Sequence, residues 1–200
     1  MYVMISIDGS YEDCLVINKS KFLSFAFPVF SELEAKEKLN MLRNKYNDAT
    51  HVCSAYSLSS PKLEKADDDG EPSGTAGKPL LELIKKKGLD NVLLVVVRYF
   101  GGIKLGAGGL VRAYTNSGNI VIDKAQIVTM LEIDEYEAQI EIALGSKFQE
   151  TIRILGGNIV SCLYGENVKV IFTGVDKSKV ESMYPSVKIN KVGSRIVCQK

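Results

Sequence analysis

An α+β protein of two domains is what the sequence predicts, and three observations predict it. Alternating apolar residues mark short strands, capped amphipathic segments between them mark helices, and the pattern restarts near residue 132 as a second, smaller set of elements. The boundaries that follow are 1–132 and 133–200.

Taken in order, Val3, Ile5 and Ile7 alternate as in a half-buried strand, and Leu23, Phe25, Phe27 and Val29 do so again. Ser31 followed by Glu34 forms a capping box, and the helix behind it carries Ala35, Leu39, Leu42 and Tyr46 along one side until about Asn47. Residues 51–59 alternate again, with His51, Cys53, Ala55 and Ser57 on one face and Val52, Ser54, Tyr56 and Leu58 on the other. Residues 60–76 are rich in Pro, Asp, Gly and Ser and read as one long loop. Pro79 suits the first turn of the next helix, which ends at Lys85-Lys86-Lys87-Gly88, with lysines at the negative end of the dipole and a glycine for the left-handed cap. The unbroken apolar run Val92–Val97 is a strand covered on both faces. A glycine-rich loop follows, then a helix marked by Leu110, Val111, Tyr114 and Ser117, and a strand over 127–133.

The second set begins with a strand at 138–143 and a helix over 147–155 that Gly156-Gly157 stops. Two strands flank the turn at Gly165-Glu166-Asn167, a helix covers 176–183, and a last strand runs over 187–198. The order β-α-β-β-α-β is ferredoxin-like.

Composition narrows the function. With a net charge of +1, the chain is not a broadly basic nucleic-acid binder. The charge is unevenly spread: residues 78–124 hold eight Lys or Arg against three Asp or Glu, while residues 1–77 hold eight against twelve. A polyanion is therefore expected to meet the glycine-rich region first. No apolar run is long enough to span a bilayer, and the N-terminus lacks the basic and apolar regions of a signal peptide, so a cytoplasmic protein without membrane contact is expected. The four cysteines are scattered with no CxxC pair and read as reduced thiols.

Residues 98–118 carry the strongest chemical signal, with six glycines interleaved with Lys104 and Arg112. Strand, glycine loop and helix together have the layout of an anion site, in which backbone N–H groups and the helix dipole attract phosphate. The candidate contacts are Arg98, Gly101, Gly102, Lys104, Gly106, Gly108, Gly109 and Arg112, with Tyr99 or Phe100 available to stack on a base. Known nucleotide fingerprints do not fit: Val111 stands where a dinucleotide motif needs glycine, and Ala107 where a Walker loop needs lysine. The glycines also admit a packing explanation.

A second cluster lies upstream. Asp67, Asp68, Asp69 and Glu71 make an acidic turn of the kind that suits a hard cation, but Lys65 and Ala76 occupy positions where an EF-hand needs ligands. These carboxylates and Ser73 equally suit capping backbone groups in a tight turn or pairing with Arg98 or Arg112. His51 is the only histidine, and with Cys53 alone it does not make a zinc site, so no metal and no cofactor are expected. As a hydrolase the chain would use His51 as acid or base, Asp69 or Glu71 to orient it, and Ser73 or Thr75 as the hydroxyl.

These segments carry a resemblance. Asp-Gly-Glu-Pro-Ser-Gly-Thr-Ala-Gly-Lys-Pro at 69–79 and Arg-Tyr-Phe-Gly-Gly-Ile-Lys-Leu-Gly-Ala-Gly-Gly-Leu-Val-Arg-Ala-Tyr at 98–114 resemble the IMPACT/YigZ family, as does Asp48-Ala49-Thr50-His51-Val52-Cys53. The likeness covers residues 1 to about 130, and the rest looks like the ferredoxin-like domain of bacterial members. It implies an N-terminal domain of the ribosomal protein S5 domain 2 type, similar to domain IV of elongation factor G, and a C-terminal domain similar to its domain V. Both of those work on the ribosome. The leading expectation is an RNA- or ribosome-associated regulatory protein of translation or stress response, without chemistry of its own. The small hydrolase is the alternative, and an adaptor taking a protein partner through the C-terminal domain is the other.

Overall fold

A computed structural model describes residues 2–198 of the chain. They form two compact units, one of Met4–Thr129 and one of Met130–Lys200 together with the start of the chain. The chain runs β1 (Tyr2–Ile7), β2 (Tyr11–Ile17), β3 (Ser20–Pro28), α1 (Glu32–Lys45), β4 (His51–Ser59), β5 (Lys62–Asp67), α2 (Gly77–Lys86), β6 (Val92–Tyr99) and α3 (Gly106–Lys124). After these come β7 (Ile127–Ile140), α4 (Ile142–Ile154), β8 (Asn158–Tyr164), β9 (Val168–Thr173), α5 (Lys177–Met183) and β10 (Ile189–Cys198).

The first unit is built on an antiparallel sheet of order β2-β3-β6-β4-β5. Its central strand explains the unbroken apolar run. Val92, Leu94 and Val96 pack with Leu80, Ile84, Tyr114 and Ile122 of α2 and α3, while Leu93, Val95 and Val97 pack with Ala35 and Leu42 of α1 and with Phe25 and Phe27. Strand periodicity sends alternate side chains to opposite faces, and both faces here are covered. Each such side chain contributes about 1.5–3 kcal/mol by leaving water.

Helix ends follow the residues that cap them. Ser31 Oγ accepts from the Glu34 N–H at 3.1 Å, and Glu34 Oε2 accepts from the Phe30 N–H at 2.8 Å. Gly88 closes α2 at φ 64°, where its N–H reaches the Lys85 carbonyl at 2.9 Å. The lysines there are partly engaged: Lys85 pairs with Glu64 at 2.6 Å and Lys87 with Asp123 at 2.7 Å.

Several expectations are corrected. The long loop at 60–76 contains β5, an edge strand whose residues are polar apart from Leu63 and Ala66, so it shows no apolar alternation. β2, the other edge, also lay unassigned in the sequence. In β1 the expected face holds only at Ile7, which is buried: Val3 and Ile5 are exposed, whereas Met4 and Ser6 are buried. Ser6 Oγ donates to the Asn91 carbonyl at 3.3 Å, and Asn91 Nδ2 points to the Met4 sulfur, so polar contacts rather than β-branching choose the face.

In the second unit β10, β7, β9 and β8 lie in that order, with β1 also beside β7. Together with α4 and α5 this is the ferredoxin-like β-α-β-β-α-β arrangement. Phe148 and Ile152 of α4 pack on Val168, Val170 and Phe172. The first strand ends at Ile140 rather than 143, and α4 begins at Ile142 rather than 147. Gly145 makes that possible, because a Cβ there would stand 3.0 Å from Val168 Cγ2. Among the described residues no helix is long and apolar enough to cross a membrane.

Candidate functional site

Arg98 follows Val96 on the α2/α3 face of β6, and that alternation carries its side chain inward. It is 5% exposed. Its Nη1 donates to Glu71 Oε1 at 2.6 Å and its Nη2 reaches Ser20 Oγ at 3.4 Å, while the guanidinium lies 5.4 Å from the ring centroids of both Phe22 and Phe100. Nε has no partner. Arg98 is therefore not the free phosphate-binding cation expected from the sequence; a buried carboxylate already neutralises it.

Glu71 reaches Arg98 from the acidic turn, and its Oε1 also accepts from the Tyr114 hydroxyl at 2.8 Å. Burial raises the Tyr114 pKa, so this hydroxyl stays a donor. Cys53 Sγ lies 3.3 Å from the same hydroxyl and 3.0 Å from the Asp68 carbonyl, and burial likewise pushes this thiol up. His51 sits on β4 directly across from Arg98. Its Nδ1 is 2.8 Å from the Asp69 carbonyl. A carbonyl only accepts, so Nδ1 carries hydrogen and Nε2 is left facing Glu71 Oε2 at 3.9 Å.

The other acidic residues build the turn. Asp68 Oδ1 accepts from the N–H groups of Ala76 and Gly77, and Oδ2 from that of Gly74. It thereby caps α2, whose own N-cap residue Ala76 has no side chain to do so. Burial acts to raise the Asp68 pKa, but these three donors outweigh it and hold the carboxyl below the usual aspartate range. Asp69 accepts from the Val52 N–H at 2.6 Å and pairs with Arg43 at 3.1 Å, as Asp67 does at 3.0 Å. Thr75 Oγ1 donates to the Pro72 carbonyl at 2.6 Å, and Ser73 is exposed outside the cleft lining. Of the hydrolase set, His51 and Glu71 come together, while Asp69, Ser73 and Thr75 do not join them as reactive groups.

Above this floor opens a cleft of about 420 Å³, whose lining includes His51, Glu71, Arg98, Phe100, Lys104 and Gly106. The glycines divide by task. Gly101 is required by packing, since a Cβ would stand 2.0 Å from the Lys19 carbonyl carbon, and its N–H donates to Ser20 Oγ at 3.1 Å. Gly102 and Gly106 hold left-handed φ values of 84° and 68°. Gly106, Gly108 and Gly109 are not in a loop, as the sequence suggested, but form the first turn of α3. At Gly108 the nearest neighbour to an added Cβ is Arg112 Nη1 at 4.0 Å, so nothing in the chain excludes a side chain there.

That first turn is open electrostatically. Its N-cap Leu105 offers no side-chain acceptor, and the turn contains no acidic residue. Lys104 and Arg112 are exposed and, among the described residues, have no ion-pair or hydrogen-bond partner. Phe100 is 44% exposed at the mouth. Tyr99 lies on the opposite face, packs against the α1 cluster and donates to Asp48 Oδ1 at 2.8 Å, so only Phe100 is placed to stack in the cleft. Among the described residues no group of three or more His, Cys, Asp or Glu is arranged to hold a metal. Sequence reasoning missed Tyr114 as the second donor to Glu71; its burial on the helix face was legible, its partner 43 residues away was not.

A family model described as the Impact N-terminal domain matches residues 18–122. The IMPACT family member YvyE of Bacillus subtilis is 49% identical over 117 residues, covering 58% of this chain and 53% of that protein. The match thus spans about half the length of that relative. The IMPACT family member YigZ of Escherichia coli is 33% identical over 151 residues, 74% of each chain. A solved structure described as a hypothetical protein is similar at 26% identity, with a TM-score of 0.73, over 94% of this chain and 97% of that one.

Proposed function

This chain belongs to the IMPACT family, and we propose that it is an RNA- or ribosome-associated regulatory protein acting in translation. In this reading the first turn of α3, Lys104 and Arg112 hold backbone phosphate, while Phe100 supports a base. The observation that carries it is the pairing of an uncapped helix start with two exposed cations that have no partner among the described residues, Lys104 in the cleft lining and Arg112 beside Gly108 on the same helix. The open space at Gly108 supports it further, because a glycine inside a helix costs about 1 kcal/mol and no contact within the chain demands this one.

The hydrolase alternative has less behind it. His51 and Glu71 are adjacent, but Thr75 is committed to the Pro72 carbonyl and Ser73 does not line the cleft.

Sedimentation with ribosomes at low and high salt tests the proposal, comparing the native chain with Lys104→Ala/Arg112→Ala. Arg98 is left intact, because its loss would strand Glu71 and confuse binding with folding. Salt-sensitive co-sedimentation that the double variant loses supports the reading. Absence of the native chain from both ribosomal and free-RNA fractions overturns it.

A further inference from the structure

We propose that the same cleft distinguishes RNA from DNA, by taking the single hydrogen of a ribose 2′-hydroxyl at its floor in a three-centre bond shared by His51 Nε2 and Glu71 Oε2. The inference rests on the RNA-binding reading and adds to it the sugar that the cleft selects.

The cleft has two chemically distinct ends. At the rim stand Lys104 and the first turn of α3, both suited to negative charge. At the floor the polarity is reversed. His51 Nδ1 gives its hydrogen to the Asp69 carbonyl, so on the neutral ring Nε2 is a bare acceptor. Glu71 Oε1 takes both the Arg98 and the Tyr114 hydrogens, and Oε2 receives none. The two acceptors lie 3.9 Å apart, too far for a hydrogen bond to each other.

Both line the cleft, and the Glu71 side chain is only 3% exposed. Glu71 Oε2 is open to the cleft rather than sealed inside the chain, so a ligand donor that reaches the floor meets it in place of solvent. Phosphate cannot do this, because it brings more negative charge to the same place. A hydroxyl can. A ligand that carries phosphate at one end and a hydroxyl donor at the other matches both ends, and a ribonucleotide does so where a deoxyribonucleotide does not. At about 420 Å³ the cleft falls within the range of small-ligand sites. Phe100 at the mouth offers a face to any base without choosing among them.

The experiment measures fluorescence anisotropy with a short oligouridylate, the oligodeoxyuridylate of equal length, and the 2′-O-methyl oligouridylate. The methylated strand keeps the ribose oxygen but loses its donor hydrogen. The native chain is expected to bind the first about tenfold more tightly than the other two, the effect of one hydrogen bond to a charged group. Glu71→Gln retains an acceptor for Arg98 and Tyr114 while placing an amide donor where Oε2 stood, and it should bring the RNA-to-DNA ratio towards one. His51→Phe tests the same floor from the half-exposed strand position, and it decides the matter alone if thermal melting shows that Glu71→Gln does not fold. Equal binding of all three strands by the native chain overturns the inference while leaving the RNA-binding reading in place. So does a ratio that survives in both folded variants. Failure to bind any strand removes the RNA-binding reading itself, and the inference with it.

Discussion

At the floor of the cleft Arg98 and Glu71 stand 2.6 Å apart with side chains 6% and 3% exposed, whereas Lys104 at its rim and Arg112 further along α3 are exposed, with no carboxylate paired to either among the described residues. Both regions combine cations with glycine-bounded backbone, and in the linear sequence they look like one cationic loop. Burial separates them. A guanidinium withdrawn from water requires a counter-charge, and once Glu71 supplies it little field is left for a ligand. A cation that keeps its hydration needs no partner, and its charge stays available at the cost of contributing little to stability. The Arg98–Glu71 pair is thus expected to govern folding and the rim cations to govern phosphate binding.

The sharpest way to break that division is Arg98→Ala. It leaves a carboxylate buried without its cation and should cost about 3–5 kcal/mol in urea denaturation, whereas Arg98→Met/Glu71→Leu should recover most of the loss. A small effect of the single variant would mean the pair is wetter than its exposure indicates. Next comes Gly101→Ala. Its Cβ would meet the Lys19–Ser20 backbone, which cannot yield as a flexible side chain would, so a loss of about 1–3 kcal/mol is expected by the same measurement. Gly108→Ala should be neutral or slightly stabilising, and the contrast between the two glycines tests the packing assignment directly.

Asp68 adds a pH dependence. Its folded pKa is depressed, so its contribution to stability is fully present above the unfolded value, near pH 4, and is lost as pH falls through the lower folded value. Asp68→Asn keeps one acceptor for Ala76 and Gly77 but turns a donor towards Gly74. It should cost about 1–2 kcal/mol at neutral pH and flatten the acid limb of the stability curve. Smallest in stability is Lys104→Ala/Arg112→Ala, expected within about 0.5 kcal/mol of the native chain. If both residues contact phosphate, the slope of log affinity against log salt for single-stranded RNA should fall by about 1.4.

Legibility in the sequence followed how local the cause was. The apolar run of β6, the Ser31–Glu34 cap and the Gly88 stop depend on neighbours within a few residues, and each was readable. β5 was not, because an edge strand with polar residues has no reason to alternate. The β1 face was misread because the choice depends on Asn91, some 85 residues away. The same limit applied to the cleft. Its cations and glycines were visible, and so was a pairing of the acidic turn with Arg98 as one alternative, but which carboxylate, 27 residues upstream, makes it was not. Gly101 was a candidate anion contact with packing as the alternative, and the approaching backbone is the chain's own β2–β3 turn. His51 beside Glu71 was a conditional possibility that only the pairing of β4 with β6 resolves.

Cys53, enclosed beneath the Asp68 carbonyl and the Tyr114 hydroxyl, also serves as a clock within the protein. Only a thiolate alkylates readily, and both its enclosure and its raised pKa withhold one in the closed state. Exposed Cys14 marks the time at which reagent arrives. The lag of Cys53 behind it in a mass-spectrometric time course then measures how often the acidic turn lifts from β4, a rate that any occupant of the cleft should slow.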